Sequence, residues 1–144
     1  MSTTNIDHQI IHYQGDTFKL KFNYLNENNT AIDLAGHSAD MHIRRSPGVE
    51  KLVCRLNDTH PNGVFGRTGG SDFNLYSGFT GGTGGILLNH NGTTGSVFIE
   101  IDSDTVSRIP AGRHFYDLVI KNTTTLAVTT ILSGTFELAG EVTK

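Results

Sequence analysis

Apolar and polar residues alternate along several short segments of this chain. Between residues 18 and 24, every second side chain is apolar, and two lysines and an asparagine stand between them. The same period of two runs through residues 38–44, and residues 114–120 carry a second apolar face at every other position. Alternation of this kind is typical of a strand with one face on a core and the other in water. These segments therefore predict half-buried antiparallel β-strands.

Turn residues separate the alternating segments. Asn91 and Gly92 predict a hairpin, because both accept a positive φ. Residues 102–109 predict one helical turn, capped by the first or second residue of that segment. Together, these signals predict an all-β fold, an antiparallel β-sandwich of about seven to eight strands. At 144 residues, the chain is expected to form a single domain spanning residues 1–144.

The inward faces of the predicted strands define an expected core. We predict that eleven apolar side chains are buried between two antiparallel sheets. They are Phe18, Leu20, Phe22, Met41, Ile43, Ile99, Ile101, Tyr116, Leu118, Phe136 and Leu138.

The alternation disappears between residues 60 and 85, which we interpret as one extended loop rich in glycine and aromatic residues. Loops of this length without structure of their own are usually functional or mobile. Phe65, Phe73, Tyr76 and Phe79 stand among its glycines, and a pure linker would lack such residues. We therefore predict that these four aromatic residues form a protein–protein interface and become ordered only on assembly.

Charge and hydropathy disfavour two classes of partner. The net charge is −3, and the basic residues form no stripe, so we expect no nucleic acid. No apolar run approaches the length of a membrane span, and the first residues lack the features of a signal peptide, so we expect no membrane.

The chain also lacks a recognisable catalytic or metal-binding motif. The glycines of residues 81–85 are not followed by the lysine that a phosphate loop needs, and the seven histidines lack the spacing of a zinc site. Cys54 lies on an alternating row, which favours a small core residue over a nucleophile. We expect no enzyme, no cofactor and no metal within the chain, while a metal held between chains stays open.

Two sets of short motifs frame the glycine-rich middle. They are Gly15-Asp16-Thr17-Phe18, Ile32-Asp33-Leu34-Ala35-Gly36, Ile109-Pro110-Ala111-Gly112, Tyr116-Asp117-Leu118 and Gly134-Thr135-Phe136. In order and spacing, they resemble a family of tailed-bacteriophage virion proteins. This family carries a small immunoglobulin-like β domain at or near the N-terminus of baseplate and fibre components, and it includes the upper baseplate proteins.

The resemblance implies an immunoglobulin-like sandwich and a structural role. The expected function is that of an adaptor in the tail, baseplate or fibre assembly, located in the virion and acting through contacts with other phage virion proteins. A homo-oligomer within the particle is expected. The alternatives are a glycan-binding β-sandwich module for receptor attachment and a head decoration protein.

Overall fold

The computed structural model describes residues 6–7, 9–26, 28–45, 52–67, 79–109 and 111–140. Their regular structure is almost entirely β, arranged in two sheets, which confirms the all-β sandwich predicted from the alternation. Within these ranges, no helix is long and apolar enough to cross a membrane.

The described residues form eleven strands, one short helix and one 3-10 turn. In chain order, the elements are β1 (Ile6–Asp7), β2 (Ile10–Tyr13), β3 (Phe18–Asn23), β4 (His37–Arg44), β5 (Leu52–Asn57), β6 (Val64–Arg67), β7 (Phe79–Gly81), β8 (Gly84–Leu88), the 3-10 turn (His90–Gly92), β9 (Ser96–Ile101), α1 (Ser103–Ser107), β10 (Gly112–Asn122) and β11 (Val128–Ala139).

The larger sheet has eight strands in the order β1-β11-β10-β4-β5-β6-β7, and β2 also pairs with β11. The smaller sheet has the order β3-β9-β8. Every pair is antiparallel except those of β1 and β2, which run parallel to β11. The expectation of a purely antiparallel sandwich is therefore wrong at this edge. A period of two shows which face of a strand is buried, but it carries no information on the direction of the partner strand.

A cluster of buried side chains from both sheets forms the core. Nine of the eleven predicted core residues are buried, and Leu20 and Phe22 are only half-buried. Both of these lie on β3, an edge strand of the smaller sheet, so their side chains have a neighbouring strand on one side only. The ring of Phe18 meets that of Phe136 edge-on at a centroid distance of 5.3 Å, which joins the two sheets.

The segment 60–85 is not one extended loop, which corrects the interpretation from sequence. It contains β6, β7 and the beginning of β8, and together with β1 and β2 the first two account for the larger number of strands. The alternation is hidden because Gly66 occupies an inward position of β6. A Cβ there would lie 2.6 Å from Cγ2 of Thr105, so the close approach of α1 excludes the apolar side chain that the pattern requires.

The chain changes from the larger sheet to the smaller one at a corner between β7 and β8. At this corner, the N–H of Gly82 donates to the carbonyl of Val64 at 2.9 Å, and that of Gly84 donates to Pro61 at 2.8 Å. The N–H of Thr83 donates to Oδ1 of Asp102 at 2.9 Å. The glycines at 82 and 84 thus form a packed crossover, in which the backbone polar groups are satisfied.

The predicted helical turn is present, and Asp102 is its N-cap. The Asp102 carboxylate accepts hydrogen bonds from the backbone N–H of Thr105 at 3.1 Å and from its hydroxyl at 2.6 Å. Burial opposes ionisation of Asp102, but the hydrogen bonds from Thr105 and Thr83 outweigh it and lower the pKa of the carboxyl below its ordinary value of 3.8. The hairpin prediction at residues 91–92 is also confirmed, since Asn91 and Gly92 have φ of 55° and 74°.

We predict that Asp102→Ala lowers the free energy of unfolding by about 1–3 kcal/mol, because it removes a helix cap and the bond to Thr83. Asp104→Ala is the matched control, since its side chain is 79% exposed and pairs with Arg108 at the surface. Urea denaturation at neutral pH measures the difference. Because the folded pKa of Asp102 is depressed, the difference between wild type and Asp102→Ala should shrink as the pH falls below 3.8. Equal losses for the two variants would contradict the proposed role of Asp102.

Gly112 begins β10 with a φ of 125°. Side chains rarely adopt this backbone conformation. We predict that Gly112→Ala destabilises the domain by about 1–3 kcal/mol. Gly140→Ala, at a glycine with open space around it, should change the melting temperature little. A Gly112→Ala variant as stable as Gly140→Ala would show that the conformation carries no strain.

Candidate functional site

Two of the four aromatic residues predicted to form an interface lie on neighbouring strands at one end of the larger sheet. Phe65 is half-buried on β6, and Phe79 is the first residue of β7. These strands pair antiparallel, with Phe65 opposite Gly81 and Arg67 opposite Phe79. Phe73 and Tyr76 lie outside the described residues. The interface of these four residues therefore stays a prediction. Phe65 and Phe79 belong to a pair of strands and not to the predicted extended loop.

The outer face of the larger sheet carries a row of side chains from five successive strands. Strand register places Phe65 opposite Arg55, Arg55 opposite His42, and His42 opposite Asp117. Ser133 on β11 continues the row beside Asp117. The first four of these residues each stand between two buried neighbours, and Ser133 follows the buried Leu132, so the row lies on the face away from the core.

An open cleft of about 770 Å³ lies on this outer face. Phe115 of β10 is half-buried within it, with Arg44 of β4 directly opposite on one side and Thr135 of β11 on the other. The cleft is lined by Gln9, His42, Arg44, Arg113, Phe115, Tyr116, Asp117, Ser133, Gly134 and Thr135. Residues from three strands of the sheet and from the segment between β1 and β2 therefore meet around one aromatic ring.

The parallel edge of the sheet is interrupted beside this cleft. β1 pairs with β11 at Leu132 and Ser133, and β2 resumes the pairing at Phe136. Gly134 and Thr135 are opposite neither strand, and Gln9 lies between β1 and β2. The interruption thus adds backbone and an amide side chain to the wall of the cleft.

Hydrogen bonding assigns the protonation state of His42. Nη2 of Arg44 lies 3.2 Å from Nδ1 of His42. A guanidinium can only donate, so Nδ1 accepts and the ring proton is on Nε2. Burial lowers the pKa of His42 below its ordinary value of 6.5, against the opposing charges of Asp40 and Asp117. At neutral pH, His42 is therefore an uncharged ring that orients Arg44.

Charged side chains of both signs line the cleft. Arg44 and Arg113 supply two guanidinium groups, and Asp117 supplies a carboxylate. Arg113 approaches Oε1 of Glu137 only to 3.8 Å, and its side chain is 64% exposed. Such an exposed pair constrains the arginine weakly. The cleft therefore offers charge-assisted hydrogen-bond donors beside one acidic group.

Strand β2 presents a second surface feature. Ile11 and Tyr13 are 66% and 55% exposed, and both lie on this strand at the edge of the larger sheet. On the side away from β11, no other described strand pairs with β2. Large apolar side chains on an open edge are unusual, because natural proteins protect such edges from pairing with other chains.

Histidines elsewhere on the surface contact aromatic and acidic groups. Nε2 of His60 lies 2.9 Å from Oε1 of Glu100, and the ring of His90 stacks on Phe98 at a centroid distance of 4.8 Å. Both contacts are of a kind that structural histidines make. Across the described ranges, no group of three or more His, Cys, Asp or Glu side chains is arranged to hold a metal ion.

Comparison with known proteins gives no assignment. No protein-family model matches the sequence, and no curated protein is significantly similar to it. Any function must therefore be argued from the residues and the geometry of this chain.

The structure places Cys54 in the core, as its alternating row predicted. Its side chain is fully buried, and burial raises the pKa of the thiol to about 12. We predict that Ellman's reagent leaves native Cys54 unmodified at pH 8 and labels one thiol per chain in guanidinium chloride. Stoichiometric labelling of the folded protein within seconds would contradict this assignment.

Proposed function

We propose that this chain is a structural protein of a tailed-phage virion, an adaptor of the tail, baseplate or fibre assembly with an immunoglobulin-like fold. In this proposal, it acts in the virion through contacts with other virion proteins and with further copies of itself. It carries out no catalysis and uses no cofactor.

The observation that carries the proposal is the open edge formed by β2. An edge strand offers unpaired backbone N–H and C=O groups to a strand of another chain, and exposed apolar side chains add area to such a contact. Ile11 and Tyr13 supply that area on the outer face of the larger sheet. An unprotected edge of this kind is consistent with a protein that assembles with other chains.

The motif residues that support the resemblance serve the fold at turns and strand pairs. Residues 15–18 lead from the turn after β2 into β3, and Gly112 begins β10. Gly134 lies opposite Tyr116 in the β10–β11 pair and has a φ of 149°, which favours glycine. Residues with such roles are those that a family of related sandwiches would share, so they favour the proposed relationship.

We predict that the purified protein forms a homo-oligomer and that the double variant Ile11→Lys, Tyr13→Lys shifts it toward the monomer. Two charges on the edge oppose both apolar contact and strand pairing between copies. Light scattering coupled to size-exclusion chromatography gives the mass. Leu126→Lys, Val128→Lys is the matched control, because these residues are 63% and 62% exposed on the β10–β11 hairpin.

Circular dichroism should show both double variants to be folded, since all four side chains are exposed. The same variants can be tested for incorporation into phage particles, with a cryo-EM map locating the chain. A monomeric wild type that is also absent from the particles would overturn the proposal. Equal effects of the edge and hairpin variants would move the contact away from β2.

A further inference from the structure

We propose that the cleft around Phe115 binds a saccharide that carries one carboxylate, such as a uronic-acid disaccharide. The inference rests on the cleft alone and is independent of the proposed assembly role. Four features of the described residues support it: the volume of the cleft, its aromatic floor, its polar rim and its paired arginines.

The volume and the floor suit a small ligand with a flat apolar face. Pockets for small molecules span about 300–1,000 Å³, and this cleft of about 770 Å³ lies within that range. Phe115 lines the cleft and is half-buried, with its ladder partners Arg44 and Thr135 on the two neighbouring strands. A pyranose ring presents C–H groups on one face, and a fixed aromatic ring is a suitable surface for them.

The rim suits a ligand with many hydroxyl groups. Gln9 offers an amide, Asp117 a carboxylate and Thr135 a hydroxyl, all within one concave surface. These groups together provide both donors and acceptors. A sugar carries hydroxyls in several directions around its ring, so a ring of mixed donors and acceptors around one aromatic residue matches its chemistry.

The two arginines select for a carboxylate. Arg44 lies across the ladder from Phe115, and Arg113 lies two residues before it on the same face, so each is about 5–7 Å from the aromatic residue along the backbone. A carboxylate above the edge of the ring would meet both guanidinium groups in charge-assisted hydrogen bonds. Neutral His42 accepts from Arg44 and acts as a positioning residue for that guanidinium.

Asp117 limits the charge of the ligand. It lies beside Phe115 on the outer face and opposite His42, so a second anionic group in the cleft would meet a like charge. A ligand with one carboxylate gains from the arginines without this repulsion, whereas a polyanion would not. A peptide strand is less suited to the cleft, because β4 and β10 already pair on both sides and only Gly134 and Thr135 of β11 lack a second partner strand there.

The test uses cellobiuronic acid and its neutral counterpart cellobiose, with isothermal titration calorimetry and saturation-transfer NMR at neutral pH. We expect the acidic disaccharide to bind at least about tenfold more tightly than cellobiose, and its affinity to fall as salt is added. Arg113→Gln should remove most of that preference, and Phe115→Ala should weaken both disaccharides. Thermal melts establish that each variant is folded.

Arg55→Gln is the matched control, because Arg55 lies on the same outer face in the row of His42 but does not line the cleft. This variant should keep the affinity of the wild type. The proposal is overturned if neither disaccharide binds, if both bind equally, or if Arg55→Gln and Arg113→Gln weaken binding alike. Tighter binding of a tetraglutamate peptide than of cellobiuronic acid, with the same dependence on Arg113, would assign the cleft to an acidic peptide instead. The oligomer measurements on the β2 variants do not depend on any of these outcomes.

Discussion

The carboxylate of Asp102 joins three parts of the chain at the point where the fold passes from one sheet to the other. It accepts hydrogen bonds from Thr83 in the corner and from the backbone and hydroxyl of Thr105 in α1. This arrangement brings α1 so close to β6 and to the corner that residues 66 and 82 must be glycine, since a Cβ at either position would overlap the Thr105 side chain. The glycine at position 66 lets β6, which carries Phe65, pack against α1 while it pairs with β5.

Much of the fold could be predicted from the sequence, because long strands show their buried face directly. The alternation at residues 38–44 and 116–120 predicted the inward rows of β4 and β10, and the acidic start of the segment 102–109 predicted the capped turn. β6 could not be found in this way, because close packing replaces its inward side chain with hydrogen at Gly66. The parallel pairing of β1 and β2 could not be found either, since the pattern of a strand is the same for both directions of its neighbour.

The cleft could not be predicted from the sequence, for a different reason. Its residues occupy the outward positions of alternating strands, and from the pattern alone such positions indicate only a solvated face. Arg44 and Phe115 are about 70 residues apart along the chain, and only the register between β4 and β10 makes them neighbours. The exposed edge could not be predicted from the sequence either. The exposure of Ile11 is recognised only when β2 is found at the edge of the sheet. The sequence instead drew attention to aromatic residues among glycines, of which Phe65 and Phe79 belong to a strand pair.

The parallel pairing of β1 and β2 with β11 has a mechanical consequence. The first residue of β1 and the last residue of β11 lie at opposite ends of this pair, because the strands run in the same direction. A pulling force applied at those two residues acts along the strands and loads their hydrogen bonds together in shear. A hairpin pulled from its open end would instead lose its hydrogen bonds one after another. The edge that is open to neighbouring chains is therefore also the part of the domain best placed to carry tension between its two ends.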